Sequence, residues 1–277
     1  GGTCVNVGCV PKKLFVYASK FPDIFHIGNS YGWSFDSAKF DWHALRDNKN
    51  SEIARLNTIY ADLLNSSGAD LFSERAFLKG PNTVIVGGKS YSARYILLAV
   101  GGWPYIPEFP GSQYALSSNE MFFLERLPET AVVVGGGYIA LEFAGILNGL
   151  GVSTHLIYRG QRLLKSFDSE MTDKVELGMR SKGVKIHLNT KVDSIDFVNE
   201  SHDVFLSDGR CVSADLVLYA TGRRANTNHL GLENTSVKTR HDGSIIVDKD
   251  FRTHEPSIFA LGDVIDRVQL TPVAIQE

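Results

Sequence analysis

The apolar positions of the first hundred residues follow two different periods. They recur at helical spacing in a run that starts at Leu14 and again over residues 41–66, whereas shorter apolar runs follow further on. The pattern therefore predicts a helix around the run from Leu14, a long helix over 41–66, and then a series of short strands. The predicted strands lie at 70–78, 83–86, 89–91 and 95–100, with Gly87-Gly88 as a hairpin turn between the second and third.

Beyond residue 103, predicted strands alternate with predicted helices. Strands are predicted at 131–134, 154–158 and 184–188, and helices at 137–149 and 168–181. Short strands continue to residue 219 with a turn at Asp208-Gly209, and a last strand is predicted at 258–261. Alternation of this kind is typical of βαβ units on a parallel sheet, as in a small nucleotide-binding domain. A linker with prolines at 104, 107 and 110 predicts a domain boundary near residue 103.

Composition narrows the class of protein. The 277 residues are 43% hydrophobic and 21% charged, with a net charge of −3, which is typical of a globular chain without a basic field for nucleic acid or anionic membranes. The stretch from Ala131 to Leu150 holds a single charge, Glu142. Its three consecutive glycines and Asn148 favour a buried strand, turn and helix over a membrane span.

Two of the three cysteines, Cys4 and Cys9, lie five positions apart at the start of the chain. A bridge across so short a loop stabilises the fold by only roughly 2 kcal/mol, so we expect a redox pair rather than a structural staple. Cys9 would lie near the first turn of the helix that follows, where the helix dipole favours a thiolate. Two unpaired cysteines and half of a zinc site are the alternatives. We expect Cys211 to be buried and inert, and so few cysteines fit a reducing cytoplasm.

A glycine-rich segment, Gly135-Gly136-Gly137-Tyr138-Ile139-Ala140, fits the G-x-G-x-x-A pattern between a predicted strand and a predicted helix. Gly135 would permit the tight turn, Gly137 the close approach of a pyrophosphate, and Ala140 close helix packing. The motif predicts a dinucleotide site; a glycine-rich turn without a ligand is the alternative.

The residue after the second strand of this unit is basic. NAD sites usually carry an acidic residue there for the ribose hydroxyls, but here it is Arg159, with Arg162 and Lys165 close behind. Two charge-assisted hydrogen bonds to a 2′-phosphate would favour NADPH over NADH by roughly 10²- to 10⁴-fold. Arg162 fits a solvated surface charge equally well.

The opening segment GGTCVNVGCVPKK resembles the redox segment of the flavin-dependent disulfide reductases, the class I pyridine nucleotide-disulfide oxidoreductases. Members acting on lipoamide or mercuric ion usually have Ser-Lys after the proline, whereas this chain has Lys12-Lys13. The resemblance covers the whole chain and implies an α/β fold of two Rossmann-like FAD/NAD(P)-binding domains. Residues 1–102 and 225–277 would form an incomplete, discontinuous FAD-binding domain, and residues 103–224 an NADPH-binding domain.

The same resemblance implies roles for individual residues. Lys12 would lie near the flavin and pair with Glu142, Tyr138 would cover the nicotinamide pocket, and Tyr60 would line the substrate pocket. FAD contacts are implied for Gly2, Thr3, Cys4, Lys12, Gly262, Asp263 and Thr271, and NADPH contacts for Gly135, Gly137, Tyr138, Ile139, Ala140, Arg159, Lys165 and Gly222.

The activity that the resemblance implies is NADPH-dependent reduction of glutathione disulfide through FAD, with Cys9 facing the flavin and Cys4 the substrate. The family also uses a His–Glu acid/base pair from the C-terminal interface domain of a homodimer partner. None of the eight histidines lies in such a motif, and no FAD fingerprint precedes Cys4, so we expect a fragment of a longer protein that is incomplete for turnover by itself. The alternatives are a truncated chain that at most binds NADPH and a related reductase with another disulfide substrate.

Overall fold

The computed structural model describes residues 1–34 and 38–277. The helices of this part of the chain are α1 (Gly2–Val7), α2 (Cys9–Ser19), α3 (Phe21–Asn29), α4 (Trp42–Ser66), α5 (Tyr138–Gly149), α6 (Ser169–Ser181) and α7 (Thr271–Gln276). The strands are β1 (Ala76–Gly80), β2 (Thr83–Val86), β3 (Lys89–Ser92), β4 (Ile96–Leu98), β5 (Gly102–Pro104), β6 (Thr130–Val134), β7 (Ser153–Ile157), β8 (Lys185–His187), β9 (Val192–Val198), β10 (Ser201–Leu206), β11 (Cys211–Ala214), β12 (Leu216–Tyr219), β13 (Arg223–Ala225) and β14 (Ile258–Ala260).

The described residues form two compact units. The first contains Gly1–Asn57 and Pro104–Gly222, and the second contains Thr58–Trp103 and Arg223–Glu277. Residues 1–57 therefore share a unit with the 104–222 segment rather than with 58–103. The division predicted from the sequence, 1–102, 103–224 and 225–277, stays a prediction about the domains of the whole protein.

A parallel sheet with the order β12-β6-β7-β8 organises the first unit. Apolar residues cover both of its faces, which explains the uninterrupted apolar run of β6. On one face α5 and α2 pack together, and the fully buried ring of Phe15 lies 5.2 Å from that of Trp42. On the other face the antiparallel sheet β11-β10-β9 contributes Val204 and Ile195 to a second core that includes Val134.

The second unit is built from smaller sheets. Strands β1-β2-β3 form an antiparallel meander, β4 pairs in parallel with β14, and β5 pairs with β13. Gly87 and Gly88, both at positive φ (56° and 76°), make the predicted hairpin turn between β2 and β3. The buried apolar residues of this unit are Leu78, Ile96, Leu98, Leu230, Ile245, Ile258, Ala260, Val264 and Ile265.

The structure tests two expectations, one about the apolar run from 131 to 150 and one about the burial of Cys211. The run from 131 to 150 forms β6, a turn and α5, as the sequence predicts, and no helix in the described part of the chain is long and apolar enough to span a bilayer. The prediction that Cys211 is buried is wrong, because this residue is exposed. It begins the edge strand β11 opposite Phe205, on the face that points away from the core residues Val204 and Ala214.

Candidate redox and dinucleotide sites

Cys4 and Cys9 lie on two short helices that meet at Gly8. Helix α2 begins at Cys9, which agrees with the prediction that Cys9 lies near the first turn of this helix, and Gly8 separates it from α1. A Cβ on Gly8 would lie 2.8 Å from the carbonyl oxygen of Thr3 and 3.0 Å from Cα of Cys4. Glycine is therefore needed for Cys9 to return over Cys4, and this close approach brings the two thiols within hydrogen-bond contact.

The electrostatics of Cys9 differ from the sequence-based expectation. Partial burial of its sulfur, together with the hydrogen bond to Cys4 and the charge of Cys4, raises the pKa of the Cys9 thiol, although the residue as a whole is exposed. The backbone N–H of Cys9 and the charge of Lys12 lower that pKa. Their effect is smaller than the combined effect of burial and Cys4, so the pKa remains raised. With both cysteines as free thiols, the helix start alone does not favour a Cys9 thiolate.

The expected ion pair between Lys12 and Glu142 is present. Nζ of Lys12 donates to Oε1 of Glu142 at 2.7 Å, and the two side chains are 26% and 35% exposed. Lys12 lies three residues after Cys9, so both point from neighbouring positions on the same side of α2. Glu142 belongs to α5, which packs against α2. The pair thus connects the redox helix with the helix that follows the glycine-rich turn.

The glycine-rich turn has the backbone that a dinucleotide site needs. Gly135 has φ +145°, and a Cβ on it would lie 2.4 Å from the carbonyl oxygen of Ala220, so only glycine fits. A Cβ on Gly137, which caps α5, would meet no atom within 4 Å. Open space therefore adjoins the start of a 12-residue helix, where unpaired backbone N–H groups attract phosphate. Ala140 is fully buried behind the turn.

Two basic side chains flank this turn on the loop after β7. Arg159 and Lys165 are exposed, and the backbone N–H of Leu164 donates to the carbonyl oxygen of Gly136 at 2.7 Å, which ties the loop to the turn. Arg162, for which the sequence leaves a surface role open, forms a 3.0 Å ion pair with Asp173. Among these three basic residues, Arg162 alone forms an ion pair within the part of the chain that the structure describes.

Three further predicted NADPH contacts line the same unit. Tyr138 begins α5 and is 48% exposed, which argues against a packed core aromatic at this position. Ile139 follows it and is partly buried against the first core. Gly222 has φ +149°, and a Cβ on it would meet no atom within 4 Å. Tyr138 and Ile139 are therefore the first two residues of α5. Gly222 is the last residue of the unit, and open space adjoins it.

The second unit carries the flavin residues predicted from its sequence. Asp263 follows β14 on a short turn that begins at Gly262. Burial raises the pKa of the Asp263 carboxyl, and the nearby Arg223 partly opposes this effect. No hydrogen bond reaches this carboxylate from the described residues, so it is able to accept one from a ligand hydroxyl. Thr271 begins α7, and Tyr60 on α4 is 44% exposed.

Sequence reasoning missed two features near the redox helix. Lys49 is 2% exposed, and its Nζ donates to the carbonyl oxygen of Phe122 at 2.8 Å. Asn57 donates to Oδ1 of Asn6 at 2.7 Å, and Asn6 donates to the carbonyl oxygen of Gly2, which braces α1. From the sequence pattern alone, the polar residues Lys49, Asn57 and Asn6 are expected to face solvent. No signal in the sequence therefore indicates these contacts.

Comparison with known proteins identifies relatives of the whole chain. The family described as pyridine nucleotide-disulphide oxidoreductase matches residues 1–277. The chain is 45% identical over 279 residues to the chloroplastic/mitochondrial glutathione reductase of Pisum sativum, covering 100% of this chain and 50% of that protein. It is 41% identical to the glutathione reductase of a Nostoc species and 36% identical to the trypanothione reductase of Trypanosoma congolense, covering 63% and 60% of those proteins.

A solved structure with the same fold is the HOCl-induced flavoprotein disulfide reductase of Escherichia coli. It superimposes with a TM-score of 0.88 at 25% sequence identity, over 100% of this chain and 60% of the other. The chain thus spans about half to under two thirds of the length of the relatives it matches.

Proposed function

The chain belongs to the pyridine nucleotide-disulphide oxidoreductase family, and from that premise we propose that it carries the redox disulfide and the NADPH site of a flavin-dependent glutathione-disulfide reductase. One observation carries the proposal more than any other. The Lys12–Glu142 ion pair, 2.7 Å long, links helix α2, which begins at Cys9, to the helix that begins at the glycine-rich turn. A thiol pair and a dinucleotide turn joined in this way suit electron transfer from a nicotinamide to a disulfide.

The residues present fit the two cofactors. The open space at Gly137 and the exposed Arg159 and Lys165 suit the pyrophosphate and the 2′-phosphate of NADPH. The partly buried carboxylate of Asp263, which no described residue reaches with a hydrogen bond, suits a ribityl hydroxyl of FAD. Gly2, Thr3, Lys12, Gly262 and Thr271 stay predicted FAD contacts. When bound, FAD would supply the hydride chemistry that connects NADPH with the disulfide.

The chain's own thiols would perform the exchange with substrate. In the dithiol form, the Cys4 thiolate attacks one sulfur of glutathione disulfide, which breaks the S–S bond and releases one glutathione thiolate. Cys9 then attacks the sulfur of Cys4 in the mixed disulfide, closes the Cys4–Cys9 bond and releases the second glutathione. Two electrons pass from the dithiol to the substrate, and the two leaving thiolates take up protons.

The proton donor for these thiolates is proposed from the resemblance alone. It would be a His–Glu pair supplied within a homodimer, and Tyr60 would line the pocket of the disulfide substrate. The raised pKa of Cys9 fits a need for an acid/base group beside the thiols, because a raised thiol pKa disfavours the thiolate.

Flavin absorbance of the purified chain and NADPH oxidation test this function. We expect the purified chain to be yellow, and we expect NADPH oxidation with glutathione disulfide once the proposed His–Glu pair is also present in the protein. Cys4→Ser should abolish this oxidation while leaving bound flavin. Arg55→Gln, which alters a surface ion pair on α4, is the matched control. A colourless chain that binds NADPH without oxidising it would instead support a non-catalytic chain, and a faster reaction with trypanothione disulfide would reassign the substrate.

A further inference from the structure

Tyr158 occupies the space between the glycine-rich turn and the basic loop. It follows β7 directly and precedes Arg159. A Cβ on Gly136 would lie 2.6 Å from ring carbons Cδ2, Cε1 and Cε2 of Tyr158, and a Cβ on Gly160 would lie 2.6 Å from Cε1 and 2.8 Å from Cζ. The ring therefore packs against the backbone of both glycines and leaves no room for a side chain at either position.

The loop that carries Tyr158 is bonded to the glycine-rich turn at both of its ends. The backbone N–H of Gly135 donates to the carbonyl oxygen of Ile157 at 2.9 Å, just before the loop begins. At its far end, the N–H of Leu164 donates to the carbonyl oxygen of Gly136 at 2.7 Å. Residues 158–163 thus form an arch that starts and finishes on the turn.

Backbone hydrogen bonds hold the outer side of this arch as well. The N–H of Thr190 donates to the carbonyl oxygen of Tyr158 at 3.1 Å, and the N–H of Asn189 donates to that of Gly160 at 3.0 Å. These bonds attach the arch to residues 189–190 on one side. On its other side, the ring of Tyr158 packs between Gly160 of the arch and Gly136 of the turn. Removal of the ring would leave a gap between Gly136 and Gly160 that the arch could close only by moving.

We propose that Tyr158 is a positioning residue for cofactor selection, whose ring sets the separation between the glycine-rich turn and Arg159. The turn and Arg159 must meet the pyrophosphate and the 2′-phosphate of the same molecule, so their separation decides whether both are satisfied at once. This proposal rests on the proposed use of NADPH. It assigns to the ring a role in discrimination between the two nicotinamide cofactors, separate from the charges of Arg159 and Lys165.

Calorimetric titration with 2′,5′-ADP and 5′-AMP tests the proposal without turnover, because these probes differ only in the 2′-phosphate. We expect Tyr158→Leu to weaken binding of 2′,5′-ADP at least about tenfold and that of 5′-AMP less than about threefold. Tyr158→Phe, which keeps the ring, should stay within about twofold of the wild type for both probes. A matching change in the KM ratio for NADPH and NADH, with kcat unchanged, should accompany the loss.

A second substitution, Gly160→Ala, contacts the same ring from the other side and tests the proposal by itself if Tyr158→Leu fails to fold. An unchanged preference for 2′,5′-ADP in Gly160→Ala alone would then overturn the proposal. Gly160→Ala places a methyl group against the ring and should also reduce the preference for 2′,5′-ADP. The alanine methyl group would clash with the ring of Tyr158, and this clash is absent in Tyr158→Leu. Gly160→Ala should therefore change the affinity for 2′,5′-ADP by less than about twofold further in a Tyr158→Leu background. Additive effects of the two substitutions would contradict the proposal.

The outcomes separate this proposal from its premise. Wild-type protein without a preference for 2′,5′-ADP overturns both the NADPH site and the role of Tyr158. A wild-type preference that Tyr158→Leu retains, or equal weakening of both probes, overturns only the role of the ring. Selective loss in Tyr158→Leu and Gly160→Ala, with full retention in Tyr158→Phe, supports it.

Discussion

Lys12 and Glu142 stand 130 positions apart in the sequence, and Nζ of the lysine lies 2.7 Å from Oε1 of the glutamate. Both side chains are partly exposed, so the pair contributes only about 0–1 kcal/mol to the free energy of unfolding. Its position is more informative than its strength, because it joins the helix that begins at Cys9 to the helix that begins at Tyr138. Loss of the pair should therefore change function more than stability.

Glu142→Gln tests this separation of function from stability. It keeps the shape of the side chain and removes the charge that holds Lys12. We expect kcat for NADPH oxidation with glutathione disulfide to fall at least about tenfold, and the melting temperature to change by less than about 3 °C. Arg55→Gln, which alters the ion pair with Glu52 on α4, is the control and should change neither. Full turnover by Glu142→Gln would contradict a functional role for the pair.

Gly135 and Gly137 should respond differently to substitution by alanine. Gly135→Ala forces a side chain to φ +145° and to 2.4 Å from the carbonyl oxygen of Ala220, so we expect a loss of at least about 1–3 kcal/mol in stability. Gly137 has φ −90° and open space beyond it, so Gly137→Ala should fold normally. Its methyl group would still obstruct a pyrophosphate and weaken NADPH binding at least about tenfold. Urea unfolding and calorimetric titration measure the two effects, and equal effects at both positions would refute this distinction.

The sequence predicts the parallel part of the first unit well. Strand β6, helix α5 and strand β7 lie within one residue of their predicted bounds because each is specified by its own local pattern of apolar residues, flanked by glycine at the turn. The apolar run from Leu14 likewise predicts helix α2, with Cys9 near its first turn. The Lys12–Glu142 pair has no local signal, and only the family resemblance points to it.

Features that depend on tertiary packing escape the sequence. The pattern gives no indication that Lys49 is buried, because a lysine on a helix is expected to face solvent. It is buried here because distant residues, Phe122 and Phe123, pack against its side chain. Cys211 lies in a strand-like run, but only the register opposite Phe205 shows that it faces outward. Helix α3 follows α2 after the single residue Lys20, so the pattern of apolar residues does not separate the two helices.

Arg159 should decide the preference for NADPH. It is exposed on the loop that is tied to Gly136, and it makes no ion pair with the described residues, in contrast to Arg162. One lost charge-assisted hydrogen bond costs about 1.5–3 kcal/mol, so Arg159→Gln should raise the KM for NADPH by roughly 10- to 150-fold. The KM for NADH should change much less. Arg162→Gln, which removes a nearby positive charge already paired with Asp173, is the matched control, and an unchanged ratio of the two KM values would contradict the assignment.

Lys49 should make the stability of the protein depend on pH in the alkaline range. Burial lowers its pKa from 10.5 to about 8. Between these values the unfolded chain binds the proton more strongly than the folded chain, so the free energy of unfolding rises as pH increases through this window. Relative to Lys49→Met, the wild type should gain about 2 kcal/mol between pH 7 and 9.5 in urea unfolding. Lys174→Met, an exposed substitution, should run parallel to the wild type, and a constant difference for Lys49→Met would contradict the prediction.

His155 and His187 should make the first unit sensitive to acid. Their rings stack 5.3 Å apart with Nδ1 of His155 3.2 Å from Nε2 of His187, and Arg210 donates to Nδ1 of His187 at 2.6 Å. Nδ1 of His187 must therefore be unprotonated to accept this bond. Burial and the positive charges of Lys185 and Arg210 lower the pKa of His155 to about 4, and burial, Arg210, Arg180 and Lys185 lower that of His187, against the opposing charge of Asp208.

Because the unfolded histidines bind protons near pH 6.5 and the folded pair does not, the free energy of unfolding should fall as pH decreases from 6.5 to 4. Urea unfolding at pH 7 and pH 4.5 measures the change. We expect a smaller decrease for His155→Gln than for the wild type, since the substitution removes the group with the pKa of about 4. His43→Gln changes an exposed histidine and should follow the wild type. An identical acid response in His155→Gln would show that carboxyl groups elsewhere in the unit cause the loss.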